Sequence, residues 1–143
     1  NMAKAYLSFH HRFAEDASFW GQIATEERNH AALLKIGEQY FLDAGMFPSE
    51  LLDTSFESLI KANTKLESTL MRERDSPLSR ASAFNFALKF EESAGEIHFQ
   101  HAMQNAEHSS EAIKILQCLN EADKDHANRI SSYMRKNGIV EHE

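Results

Sequence analysis

The sequence predicts an all-α protein: an antiparallel four-helix bundle with an extra helix in the long crossover between its second and third helices. Three observations predict it. The chain of 143 residues carries only 5 Gly and 2 Pro, and the stretches free of both are rich in Ala, Leu, Glu and Lys, the strong helix formers. Apolar residues recur along these stretches at steps of three, four or seven, the period of one helix face. Short breaks join the helices in pairs, and a connection of about 30 residues separates one pair from the other. This length sets a single domain over residues 1–143.

The elements follow in order. Met2 to about Ala14 places Tyr6, Phe9 and Phe13 on one face. Glu15-Asp16-Ala17-Ser18 reads as a tight reversal. The second helix runs from about Ser18 to Asp43, with a stripe of Trp20, Ile23, Glu27, His30, Leu34 and Phe41, and ends at Gly45, Pro48 and Ser49. A weaker helix follows from Ser49 or Thr54 to Glu73. Thr54 and Glu57 have capping-box spacing there, and Phe56, Leu59, Leu66 and Leu70 form its face. Ser76-Pro77 offers a capping side chain with proline at the first helical position. The helix it starts runs to about Asn105, with a stripe of Phe84, Leu88, Glu91, Gly95, His98 and Ala102. The last helix spans about Ser110 to Lys136 and stops at Asn137-Gly138. Its stripe is Ile113, Leu116, Leu119, Asp123, His126, Ile130 and Tyr133.

Composition excludes several classes. With 15 basic against 22 acidic residues and a net charge of −7, the chain offers neither a basic nucleic-acid patch nor a polybasic membrane segment. No apolar run approaches the ~18–20 residues of a membrane span, and no secretory leader pattern opens the chain. The single Cys118 excludes an internal disulfide, a four-cysteine metal site and a CxxC pair, and suits a cytoplasmic protein.

Function is read from polar residues that occupy apolar positions. Glu27 and His30 lie on the stripe of the second helix, Glu91 on that of its helix, and Asp123 and His126 on that of the last. Residues three apart share a helix face, so each carboxylate-x-x-His pair can aim at one object. A bare buried carboxylate is costly, so three stripes that each carry one imply a buried cation. Spacing alone is weak, because chance gives about 1.2 such pairs at this composition. Their coincidence with the buried stripes strengthens it. Mixed carboxylate and imidazole donors suit iron, manganese or zinc. Two ions ~3.5–4 Å apart are usual where carboxylates bridge.

The stretch Phe19-Trp20-Gly21-Gln22-Ile23-Ala24-Thr25-Glu26-Glu27-Arg28-Asn29-His30-Ala31-Ala32-Leu33-Leu34 resembles the FWxxLAxEExxHAxLL signature of the rubrerythrin-like branch of the ferritin-like superfamily. Ala87 to Glu96 is similar to that family's third ligand helix, and Leu119 to His126 to its fourth. The resemblance implies a ferritin-like bundle with a dinuclear iron site that reacts with peroxide or dioxygen. Carried over, Glu27 and Glu91 would be carboxylate ligands, His30 and His126 nitrogen ligands, and Asp123 would stand where the family has Glu. The family's first-helix Glu has no counterpart on the first stripe. It is expected just upstream of Asn1, with the first helix truncated at its N-terminus. Ala94 stands where some members carry a further Glu.

Other residues read more plainly. Glu92 and Glu96 lie on a solvated face, with Glu92 a ligand only if the helical phase differs. His98 lies two turns beyond Glu91, ~10 Å along the axis, too far to share its ion. It reads as a hydrogen-bonded histidine behind the site. Tyr6 reads mainly as core and is the other candidate for a place beside the metals. His10 borders the first stripe; His11, His101, His108 and His142 read as surface. The expected cofactor is two iron ions, with manganese or zinc as alternatives. No rubredoxin-type four-cysteine module is seen in this sequence, so an external electron donor protein is expected, with a homodimer as the expected assembly. The rival readings are a non-catalytic metal-binding or degenerate bundle acting in interaction or sensing, and ferrous iron oxidation.

Overall fold

The computed structural model describes residues 2–43, 60–61, 64–65, 67–68, 71, 78–92 and 111–140, and of these omits the side chains of 34, 37–38, 40–43, 111–120 and 122–123. The described residues are all-helical. They form α1 (Met2–Arg12), a 3₁₀ turn (Ala14–Asp16), α2 (Ala17–Asp43), α3 (Arg80–Glu91) and α4 (Glu111–Lys136). None of these helices is long and apolar enough to cross a membrane.

The reversal between the first two helices lies slightly earlier than the sequence suggests. Phe13 leaves the helical region (φ −103°, ψ 88°) and Asp16 N–H donates to Phe13 O at 3.0 Å, so α2 begins at Ala17. The two helices approach closely where Gly21 faces His10. A Cβ on Gly21 would lie 3.0 Å from His10 Nδ1, and that ring nitrogen donates to Ala17 O at 2.7 Å.

The start of α3 corrects the expectation at Ser76-Pro77. The N-cap is Ser79, whose hydroxyl accepts the Ser82 N–H at 3.1 Å, and the helix begins at Arg80. A serine suits either place, and capping follows whichever one leaves the first free N–H groups in reach. The helix closes at Glu92, whose N–H reaches Leu88 O and Phe90 O, rather than running on as one span to Asn105. Residues 93–110, including His98 and His101, lie outside the described residues. So do the proposed apolar face of the middle segment and Cys118's side chain. In that segment residues 60, 61, 64, 65, 67, 68 and 71 are helical and exposed.

The end of α4 meets the expectation. Gly138 takes φ +64°, Ile139 N–H donates to Met134 O at 2.9 Å, and Gly138 N–H faces Arg135 O at 3.4 Å. This is a Schellman closure, and Ile139 returns to pack on the core. Gly138→Ala forces a side chain into the left-handed region. It should lower stability by about 1 kcal/mol in urea unfolding, with the helical circular dichroism unchanged.

α1 packs on α2, α3 on α4, and α2 on α4. One core joins them: Ala5, Tyr6 and Phe9 from α1, Trp20, Ile23 and Ala24 from α2, Ala83, Phe84, Ala87 and Leu88 from α3, and Ile130 and Met134 from α4. Aromatic rings form its centre. Trp20 lies 4.3 Å from Phe84 and 5.1 Å from Phe9 between centroids, and Phe84 stacks on Tyr133 at 5.4 Å. Full burial of each such side chain contributes about 1.5–3 kcal/mol before entropy costs.

Asp16 ties the chain together at the reversal. Its carboxylate, fully buried, accepts Arg80 Nε at 2.7 Å, Arg80 Nη2 at 2.8 Å and the Tyr133 hydroxyl at 3.0 Å. It thereby joins the start of α3 to the last turns of α4. Glu15 adds a 3.0 Å contact to the same guanidinium, though it is exposed.

Candidate metal centre

The cluster forms where α2, α3 and α4 face one another beyond the aromatic core. The stripe of α2 is apolar through Ile23 and Ala24 and then turns polar. Glu27 and His30 project from it with side chains 17% and 16% exposed, and their Oε1 and Nδ1 atoms lie 3.8 Å apart. From α4, His126 enters at 1% exposure. Its Nδ1 lies 3.0 Å from Glu27 Oε1 and 3.9 Å from Glu91 Oε1. Glu91, the last residue of α3, is buried and accepts the hydroxyl of Tyr6. The His30 and His126 rings stack with centroids 5.4 Å apart.

The structure therefore brings together Glu27, His30, His126 and Glu91, with Tyr6 against Glu91. Asp123 lies in α4, one turn before His126, with its side chain outside the described residues. Glu92 is exposed. Tyr6 stacks on Trp20 at 5.5 Å, so the group holding Glu91 is itself fixed by the core.

These residues fit a metal ion on two counts. Glu27, His30 and His126 each present a ligand atom within 4.8 Å of the other two. Two ligands of one ion with ~2.0–2.2 Å bonds are at most ~4.4 Å apart, so the donors already stand near binding separation. In addition, His126 Nδ1 is buried and finds no hydrogen bond of acceptable geometry among the described residues, although two carboxylates flank it. A cation in that place would meet Glu27, His30 and His126 together.

Two residues at the site carried no periodic signal. Glu26 accepts His126 Nε2–H at 3.0 Å and Arg129 Nη1 at 2.6 Å. Glu26 is next to Glu27, and Arg129 is one turn after His126. The usable hint was that Arg129 falls on the His126 side of α4, with Asp125 at i,i+4 distance beneath it.

Electrostatics follow from the geometry. Burial alone would lower the His126 pKa. The close contact with Glu27, the charges of Glu91 and Glu27, and the bond to Glu26 outweigh it and push the value up to about 9. Burial likewise opposes ionisation of Glu26, but its bonds to Arg129 and His126 hold it below the ordinary carboxylate range. In the metal-free protein an imidazolium thus neutralises the surrounding carboxylates. Its folded pKa lies above the unfolded value near 6.5, so its stabilisation is complete below pH 6.5 and is lost as pH rises through about 9. Metal-free protein should lose about 1–3 kcal/mol of unfolding free energy between pH 6.5 and 10, read by urea melts, and His126→Gln should flatten that slope.

Comparison with protein-family models, with curated proteins and with solved structures finds no match to this chain.

Proposed function

We propose that this chain is a ferritin-like, rubrerythrin-type four-helix bundle that binds a dinuclear iron centre and reduces peroxide or dioxygen, with electrons supplied by an external donor protein. The observation that carries the reading is the meeting of Glu27, His30 and His126 from two helices at one largely buried place, with Glu91 from a third helix against His126. The likeness of residues 19–34 to the rubrerythrin signature supports it. Asp123 belongs to the proposed ligand set by its place three residues before His126. A cytoplasmic setting and a homodimer complete the proposal.

Reduced iron held here would supply the electron pair that breaks the O–O bond. The protein's own part is positional and electrostatic. Glu27 and Glu91 offset the positive charge, and His30 and His126 hold the nitrogen positions. Tyr6 keeps Glu91 aimed, while Trp20 and Phe9 exclude water from behind it. His126 must give up its Nδ1 proton before it can bind an ion, so uptake and proton release are coupled.

The test is an anaerobic titration with ferrous iron followed by peroxide. The expected result is saturation at two iron ions per chain and loss of the ferrous state on adding about one peroxide per pair. No uptake would defeat the proposal. A second reading has its own support: the Glu27, His30 and His126 donors are close enough to serve a single ion. Saturation at one ion, with no reaction with peroxide, would select a non-catalytic metal-binding bundle.

A further inference from the structure

We infer that Glu26, gripped by Arg129, is a positioning residue that fixes the tautomer and aim of His126, so that Nδ1 faces the metal centre. The inference rests on the proposed metal reading and concerns residues outside its ligand set.

His126 and Arg129 are three apart on α4 and share a face, and Glu26 of α2 lies between their tips. Its Oε2 receives Arg129 Nη1 at 2.6 Å and stands 3.0 Å from His126 Nε2. Its Oε1 receives Arg129 Nη2 at 3.3 Å and Gln22 Nε2 at 3.1 Å. A carboxylate ringed by cationic and amide donors is ionised, and an ionised carboxylate only accepts. The nitrogen facing it must therefore carry hydrogen. That places Nε2–H toward Glu26 and leaves Nδ1 as the atom able to offer a lone pair.

Nδ1 is also the atom that meets Glu27 and Glu91, so the tautomer and the cluster agree. Without Glu26 the buried ring would lose the acceptor that distinguishes its two nitrogens. The fork of Arg129 matters for the same reason. It holds both oxygens of a carboxylate that is itself 30% exposed and would otherwise rotate into water. Groups that orient a ligating imidazole in this way typically change metal affinity 10–100-fold when removed.

The test uses the full chain with zinc as the probe, in wild type, Glu26→Leu, Glu26→Gln and Arg129→Met. Zinc affinity is read by competition with a chromophoric chelator. The nitrogen that binds is read from long-range proton–nitrogen correlation spectra of histidine-labelled protein. The expected result is zinc on Nδ1 with a protonated Nε2 in wild type. Glu26→Leu should weaken zinc about 10–100-fold and allow binding through Nε2, and Arg129→Met should weaken it less. Glu26→Gln keeps an acceptor oxygen and should restore Nδ1 binding to within about fivefold. A purely structural role would lower urea stability in Glu26→Leu yet leave the bound nitrogen and the affinity unchanged, and that outcome overturns the inference. Zinc on Nε2 in wild type overturns it too. A wild-type chain that takes up no zinc defeats the metal reading instead. The tautomer is then read in metal-free protein above pH ~10, where His126 is neutral. Nε2–H in wild type and a mixture in Glu26→Leu uphold the orienting role, and identical spectra reject it.

Discussion

Replacing His126 by alanine is expected to weaken iron or zinc binding by more than ~100-fold, beyond the loss typical of groups behind the ligands. His126 is the proposed ligand on which the other donors converge. Glu27 and Glu91 both approach its Nδ1, and its ring stacks on His30. Alanine removes the nitrogen and also the cation that neutralises the buried Glu91 in metal-free protein. Glu91 keeps its bond from the Tyr6 hydroxyl but loses the facing cation, and breaking a buried ion pair in this way costs about 3–5 kcal/mol. For a chain of this length that lowers the melting temperature by roughly 6–20 °C. The two losses separate with pH. Binding should remain poor at every pH, while the stability difference from wild type should shrink above pH 9, where His126 is no longer charged. Calorimetry of metal-free protein at pH 6.5 and 10, with zinc competition on each variant, checks both parts. Near-wild-type zinc binding by the alanine variant would remove His126 from the site.

The second large effect lies away from the metal centre. Asp16→Ala should destabilise the protein by about 3–4 kcal/mol, seen as a fall in melting temperature of roughly 6–16 °C. Asp16 is the fully buried acceptor of two guanidinium bonds and one tyrosine hydroxyl. Removing it leaves Arg80 without its main partner and the Tyr133 hydroxyl without its acceptor. The cost stays below the top of the range for buried pairs because Arg80 is 31% exposed and can recover water. Asp16→Asn keeps the shape and loses the charge, and should cost about half as much. Because Asp16 does not face the cluster, zinc affinity should be unchanged in whatever fraction remains folded. A parallel loss of affinity and stability would mean that the reversal and the metal site form one unit.

Local signals read best. The Asn137-Gly138 stop of α4 was legible because a left-handed closure requires glycine at one defined place. The buried stripes were legible where the period was strong, as at Tyr6, Phe9, Trp20, Ile23, Phe84, Leu88 and Ile130. Glu27, His30, Glu91 and His126 stood out because each interrupts such a stripe. The sequence points to Ser76 while the cap is Ser79, because both are serines ahead of a helix-forming run and only the folded backbone selects between them. Asp16 and Arg80 are 64 positions apart, and their pairing follows from the packing of the two helix pairs rather than from any spacing. Glu26 and Arg129, 103 positions apart, were hidden for a related reason. Each looks like an ordinary solvent-side charge until α2 and α4 come together and trap His126 between them.

The acids and imidazoles of α2, α3 and α4 are proposed to hold metal. The most direct measurement is anomalous diffraction, at the iron and zinc edges, from crystals of metal-loaded protein. The expected result is a peak bounded by Glu27, His30 and His126, ~2.0–2.2 Å from each donor atom, with Glu91 alongside. Fully loaded crystals that show no peak there, with the metal found only at surface residues elsewhere, would contradict it.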